Sequence, residues 1–281
     1  MSGSLVLVST PIGNLGDLTP RAVDVLRGCA LICCEDTRHS GKLLSHAGVS
    51  GVRLAVANEH TEDARIGEVL GLLAAGSDVA VVTDAGTPGI SDPGARLVHA
   101  VAAAGHRVTA VPGPAAFVMA LVLSGLDTGR FVFEGFVPRS GRERTDRLEE
   151  IAGERRTTVL YEAPHRVART VSDLAAACGE SRRVALAREL TKLYEEVWRG
   201  TLGEAVHHVA DHEPRGEYVI VLEGAPADEP LDDDAILVAL RRELDAGADR
   251  RGAIASVVDS TRASKRRVYD LALTIPRSEA R

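Results

Sequence analysis

Aromatic side chains are scarce in this chain of 281 residues: four Phe, four Tyr and one Trp make up 3% of it. A core with so few rings must be built from Ala, Val, Leu and Ile. That favours closely packed α/β layers over an aromatic-rich β-sandwich. Excess positive charge is also missing. The formal net charge is -7, so no basic field covers the whole molecule, and any hold on nucleic acid must come from local patches. Long apolar runs are absent as well; the longest, Ala115–Leu123, is too short to span a bilayer. The chain starts directly on a strand-like LVLVST rather than on a basic and apolar leader, which sets the expectation of a soluble, cytoplasmic protein. Cysteine is limited to Cys29, Cys33, Cys34 and Cys178. Their spacing makes neither a disulfide framework nor a CxxC pair, so they are expected to be small buried hydrophobes in a reducing compartment. Three signatures are missing too. Without GxGxxG, GxxxxGK[ST] or HExxH, the dinucleotide, P-loop and metal-site readings lose their main support.

What is present is an alternation of short apolar runs with helix-patterned pieces. Leu5–Ser9, Ala30–Cys34, Arg53–Val56, Val79–Val82 and Arg107–Val111 read as strands. They are continuously apolar rather than alternating, which predicts a mainly parallel sheet covered on both faces. VPGP at Val111–Pro114 is a sharp break. Beyond it, Ala115–Ser124 reads as a helix, and Phe131–Phe136, Thr157–Tyr161, Arg183–Ala187 and Tyr218–Leu222 as strands of a mixed sheet. TKLYEEVWRGTLGEAVHHVA reads as a hairpin turn followed by an amphipathic helix. APADEPLDDD, with five acids and two prolines, reads as a linker, and Ala235–Ile275 as helical throughout. The expected fold class is therefore α/β, with domains at 1–112 and 113–226 and a linker plus basic helical tail at 227–281.

Three loops follow successive strands of the first half: STPIGNLGD, CEDTRHSGK and TDAGTPGISDPG. Ligands of parallel sheets bind beyond the carboxyl ends of strands. Glycines in such loops admit positive φ and close backbone approach. Three loops this dense in Gly, Pro, Asp and hydroxyl residues at successive strand ends point to a ligand site rather than to plain turns.

LVLVSTPIGNLGDLTPRA, CEDTRHSGKLL, VAVVTDAGTPGISDPG, VPGPAA, FEGFVPR, YEAPHR, RELTKLYEE and GEYVIVLEG, in that order, carry a resemblance. Together they look like the tetrapyrrole methylase superfamily, the class III methyltransferases, and within it the bacterial 16S rRNA (cytidine-2'-O)-methyltransferases. The resemblance runs from Leu5 to about Gly224, and the helical tail matches in position. It implies two α/β domains with S-adenosylmethionine in the cleft between them, usually in a homodimer. It also implies 2'-O-methylation of a cytidine in the decoding region of small-subunit RNA. By the same resemblance Pro11, Ile12 and Gly13, then Gly86, Thr87, Ile90 and Ser91, line the cofactor. Ala115 and Ala116 receive its methionine part, whose carboxylate suits a helix N-terminus. Ala163, Pro164 and Val219 cover the adenine. TPIGN and DAGTPGISDPG depart from the loops of the tetrapyrrole enzymes, which weakens a tetrapyrrole substrate.

Methyl transfer to a ribose hydroxyl needs alignment and a group that takes or steadies charge. The candidates are Lys192 with Glu195 or Glu196, facing Asp36 or Asp84. Lys192 either stays charged beside carboxylates or loses its proton on burial. For RNA contact the candidates are Arg38, Arg139, Arg142, Arg144 and Arg166, with Lys265, Arg266 and Arg267 in the tail. From Asp249 to Arg281 eight basic residues stand against four acids. The tail, with its helix–turn–helix look and Ser264 as a cap, is either a grip on RNA phosphates or a structural brace. Two rival functions remain open: a methylase of tetrapyrroles or other small molecules, and a helix–turn–helix regulator that senses a ligand.

Overall fold

The computed structural model describes residues 2–212, 214–226, 232–261 and 263–275. The chain divides into two compact units, Met1–Ala225 and Pro226–Arg281.

The first unit opens with β1 (Ser4–Val8), α1 (Pro20–Gly28), β2 (Leu31–Cys34), α2 (Thr37–His46), β3 (Arg53–Val56), α3 (Glu62–Ala74), β4 (Val79–Val81), α4 (Ala95–Ala103) and β5 (Arg107–Val111). The five strands form one parallel sheet in the order β3-β2-β4-β1-β5. Both of its faces are covered. Val6, Val8, Ile32, Cys34 and Ala80 pack on one side with Leu26 and Leu44. Leu5, Leu31, Cys33, Val79 and Val81 pack on the other with Val69, Leu73, Leu97 and Val101. Two-sided burial is why the strands carry no polar alternation. Cys29, Cys33 and Cys34 are buried free thiols, and burial pushes the Cys33 thiol up to about 12. At neutral pH it is an uncharged packing group.

The same unit continues with α5 (Ala116–Ser124), β6 (Phe131–Phe136), α6 (Gly141–Gly153), β7 (Thr157–Glu162), α7 (Pro164–Cys178), β8 (Arg183–Arg188), β9 (Glu196–Thr201), α8 (Leu202–Asp211) and β10 (Tyr218–Leu222). This second sheet has the order β6-β7-β10-β8-β9 and is mixed: β6 and β7 are parallel, the other neighbours antiparallel. Leu160, Leu186, Ile220 and Leu222 pack with the buried residues of α7 and α8. The opposite face, with Val159, Ala185, Ala187 and Val221, takes Ala120 and Leu121 of α5 and also Ile12 from the loop after β1. That shared cluster joins the two sheets. Truncating a residue such as Leu160, fully buried, would cost about 2–5 kcal/mol.

Cap chemistry explains several boundaries. Thr19 caps α1, with Pro20 at its first turn, and Thr201 and Glu204 form a reciprocal capping box at α8.

The second unit holds α9 (Asp233–Asp245), α10 (Arg250–Thr261) and α11 (Lys265–Thr274). Ile236, Leu240, Ile254, Val257, Val268 and Ala272 make their common core. Ser264 caps α11 as expected, accepting from the Arg267 amide at 3.3 Å.

Three expectations are corrected. The run after Cys34 is not a long loop, because Asp36 caps a helix at Thr37. The expected hairpin turn carries a full strand, β9. The tail, expected to be helical throughout Ala235–Ile275, is broken between α9 and α10 and again before Ser264, the second break being the one its helix–turn–helix look predicted. Part of the expected linker, residues 227–231, lies outside the described residues. No helix among the described residues is long and apolar enough to cross a membrane.

Candidate active site

The loops beyond β1 and β4, neighbours in the first sheet, are stitched together. Thr10 donates to the Gly86 carbonyl at 2.8 Å, and Gly86 donates back to Thr10 at 3.1 Å. The Thr10 hydroxyl reaches the Thr83 carbonyl at 3.1 Å. Thr87 Oγ1 meets Ser9 Oγ at 3.2 Å and donates to the Pro114 carbonyl, also at 3.2 Å, which ties in the loop beyond β5. Gly86 has φ of 85°; a side chain there would be strained and would touch Ile12.

These loops and strand ends of β6, β7 and β10 in the second sheet enclose a cavity of about 490 Å³. Ile12, Gly86, Thr87, Ile90, Ser91, Ala115, Ala116, Ala163, Pro164 and Val219 all line it. Pro11 and Gly13 do not. Pro11 is buried beside it, and Gly13 lies under the Lys192 chain, where a Cβ would come within 2.3 Å of Lys192 Cγ. α5 begins at the cavity with Ala115 as its N-cap residue, and no side chain caps that end. A helix end of this kind attracts an anionic group.

One wall is aromatic. Phe117, Phe136 and Tyr161 line the cavity. Phe133 stands behind them, 4.6 Å from Phe117 and 4.9 Å from Tyr161 between ring centroids, and Phe131 continues the row at 6.4 Å from Phe117. All four phenylalanines of the chain are therefore in one patch. Composition alone hides this, because a low average says nothing about clustering.

The other wall is acidic. Glu35, Asp84, Asp92 and Glu217 line the same cavity. Burial, then the charges of Glu35, Asp84 and Glu217, push the Asp92 carboxyl up to about 6, against a hydrogen bond from Thr83. Burial and Asp84 raise Glu35 as well. Asp84 Oδ1 is buried without a hydrogen-bond partner. Asp92, Ser91 and Glu35 also line a neighbouring groove with Asn58, His60 and Arg96. Asp92 thus stands where groove and cavity meet. Sequence reasoning missed Asp92 and Glu217; Asp92 sits in the singled-out TDAGTPGISDPG loop, but its environment is not written there.

The remaining candidates separate. Lys192 Nζ bonds Glu189 Oε1 at 2.8 Å and Glu217 Oε2 at 2.9 Å, not Glu195 or Glu196. Burial alone would lower Lys192, but these two carboxylates outweigh it and raise it, so it stays a cation and is no base. Glu195 closes its own turn by accepting from the Thr191 amide at 2.6 Å. Glu196 pairs with Arg188 at 2.7 Å across β8 and β9. Asp36 caps α2, and hydrogen bonds from Arg38 hold it down to about 2, too acidic to take a proton. Of the catalytic candidates only Asp84 reaches the cavity.

The arginines separate too. Arg144 is buried, bonding Asp173 Oδ2 at 2.7 and 2.9 Å and the Pro138 carbonyl at 2.8 Å, so it braces α6 on α7 and offers nothing to RNA. Arg166 is mostly buried against Glu162 at 3.2 Å and the Val137 carbonyl. Arg267 bonds Asp233 at 2.7 Å, joining α11 to α9. Arg38, Arg139, Arg142, Lys265 and Arg266 are exposed, Arg38 paired with Asp36 and Arg142 with Asp146.

Comparison with known proteins gives a consistent outcome. The family model of Tetrapyrrole (Corrin/Porphyrin) Methylases matches residues 4–206. The "Ribosomal RNA small subunit methyltransferase I" of Synechocystis sp. is 44% identical over 275 residues, 97% of this chain and 98% of that protein. The protein of the same name from Xylella fastidiosa Temecula1 is 48% identical over 244 residues, 86% of this chain and 87% of that one. Among solved structures, the methyltransferase CobJ superposes with a TM-score of 0.60 at 20% identity, covering 82% of this chain and 97% of that chain. A uroporphyrin-III-C-methyltransferase from Thermus thermophilus gives 0.53 at 20% identity, covering 82% and 100%.

Proposed function

Because the chain belongs to the tetrapyrrole methylase family, we propose that it is an S-adenosylmethionine-dependent methyltransferase acting on the RNA of the small ribosomal subunit. The finer reading is 2'-O-methylation of a cytidine ribose in the decoding region of 16S rRNA, by a cytoplasmic homodimer. The observation that carries it is the single cavity that gathers the strand-end loops of both sheets, in a chain 44% identical to a named small-subunit rRNA methyltransferase along nearly its whole length.

The cavity suits the donor. The uncapped start of α5 suits a carboxylate, small Ala163 and Pro164 beside Phe136 and Tyr161 suit a flat ring, and the orphaned Asp84 Oδ1 suits a donor or a cation. When bound, S-adenosylmethionine supplies a methyl group already activated by its sulfonium. The chain's own work is then positioning, water exclusion and proton removal. Asp92, at the junction of groove and cavity, would accept the proton of the ribose hydroxyl as that oxygen displaces the donor's sulfur from the methyl carbon, the broken carbon–sulfur bond leaving a neutral thioether. Its position near pH 6 suits a base at neutral pH, worth about 10²–10⁴-fold. Lys192, fixed as a cation, holds Glu217 at the rim and so acts as a positioning residue.

The exposed apolar face of α5 (Met119, Val122 and Leu123), with Phe131, supports self-association. The exposed Lys265 and Arg266 on the first turn of α11 support a hold on phosphate. They stand at the helix end that repels cations, so local helix stability does not explain them.

The test is to incubate the protein with labelled S-adenosylmethionine and purified small subunits, then digest the RNA to nucleosides. Label in 2'-O-methylcytidine is the expected result. Label in a base, or only in added tetrapyrroles, overturns the reading.

A further inference from the structure

The turn between β8 and β9 spends conformational energy to stay in one shape. Glu189 has φ of 50° and Thr191 of 66°, in the left-handed region that glycine favours and that a β-branched residue almost never enters. The Thr191 hydroxyl is buried with no hydrogen-bond partner. Lys192 donates its amide to Glu189 and accepts from Glu195, Glu195 holds the Thr191 amide, and the Lys192 side chain is clamped between two carboxylates above Gly13. The tip of this pinned turn carries Leu193, 88% exposed, and Tyr194, 71% exposed. Single exposed apolar residues need no explanation. Two large ones held rigidly on strained backbone, with two cavity-lining residues, Leu190 within the turn and Glu217 in the Lys192 clamp, do need one.

Resting on the proposed action on rRNA, we infer that Leu193 and Tyr194 are a nucleobase wedge. Tyr194 stacks on an unpaired base next to the ribose being modified, and Leu193 fills the gap that base leaves. A rigid display lowers the ordering cost of contact, and an aromatic face accepts any base. The turn reaches the cavity through Leu190 and, by the Lys192–Glu217 ion pair, through Glu217, so what sits on it lies next to the cavity. That placement favours the RNA substrate over a second copy of the chain, for which α5 offers a separate apolar face.

The test uses the full-length protein with Tyr194→Ala, Leu193→Ser and Tyr194→Phe. KM for small subunits should rise about tenfold or more in Tyr194→Ala, as loss of one stacked base implies. Tyr194→Phe should restore it, and calorimetric affinity for S-adenosylmethionine should be unchanged in all three. In parallel, a short fluorescein-labelled single-stranded RNA should bind Tyr194→Ala several-fold more weakly than wild type. Unchanged KM and RNA affinity would sink the wedge, as would a Tyr194→Phe variant as weak as Tyr194→Ala. Sedimentation showing that Tyr194→Ala splits a dimer would assign the turn to a subunit contact instead. If wild type binds the RNA through Tyr194 yet never methylates subunits, the proposed reaction fails while the wedge stands.

Discussion

The two sheets furnish opposite walls of one cavity. The parallel sheet contributes backbone loops and three of the five carboxylates that line the cavity, Glu35, Asp84 and Asp92; the mixed sheet and α5 contribute rings and small apolar residues, Phe117, Phe136, Tyr161, Ala163 and Val219, together with Glu162 and Glu217. Parallel strands deliver their carboxyl ends side by side, so their loops can be knotted together by main-chain bonds, as Thr10 and Gly86 are. Such loops tolerate polar side chains facing a ligand. The mixed sheet presents its side chains instead, where β7 and β10 face α5, and apart from the Tyr161 hydroxyl on the Phe117 amide those contacts are apolar. On the second wall Glu162 is taken up by Thr170 and Arg166 and Glu217 by Lys192, so the carboxylates left to meet a ligand are those of the first wall, and the second is left with shape.

The strongest break in that division is Asp92→Asn. Methyl transfer should fall about 10²–10⁴-fold, with donor affinity changed only a few-fold. In wild type the single-turnover rate should climb as pH rises through about 6, where Asp92 ionises; in the variant that limb should vanish. Stability should move the other way. A carboxyl raised in the folded state favours folding while protonated, and that advantage is lost as pH rises from the ordinary carboxylate range through about 6. Asp92→Asn should therefore be more stable than wild type at pH 7, with the difference fading below about pH 4. An unchanged pH profile would move the proton chemistry off this wall.

Gly86→Val tests the knot itself. The φ of 85° costs about 1–3 kcal/mol for a non-glycine residue. Titration calorimetry should show donor binding weakened about tenfold or more. Next in size is Phe136→Ala on the opposite wall. Its ring, half exposed at 5.7 Å from Tyr161, should be worth about 0.5–1.5 kcal/mol of donor affinity beyond area burial, with the pH limb intact. Loss of that limb would mean the walls are not separable.

Much of this was legible in the residues. Continuous apolar strands announced the parallel sheet, and glycine- and proline-rich strand ends announced the loops that line the cavity. What stayed hidden depends on pairs distant in the chain. Lys192 finds Glu217, 25 positions away, rather than Glu195 or Glu196. Arg144 looks like its exposed neighbours in an arginine-rich run until Asp173 is placed beside it. Asp36 reads as a candidate acid until the helix that it caps is visible. Asp92 is unremarkable in sequence because its raised proton affinity comes from burial and from carboxylates on other elements.

The smallest effect sharpens the comparison most. The Tyr161 hydroxyl accepts from the Phe117 amide at 3.3 Å, a direct polar bond between two aromatic residues of the second wall. Burial raises the phenol, so it stays neutral and acts only through shape and this bond. In Tyr161→Phe the ring remains, and the amide at the start of α5 loses its partner. The loss should be about 0.5–1.5 kcal/mol of stability, read from denaturant midpoints at unchanged slope, with donor affinity and kcat within a few-fold of wild type. A much larger loss of affinity would mean that this wall recognises its ligand through a polar group, and the division between a charged wall and an apolar one would have to be redrawn at Tyr161.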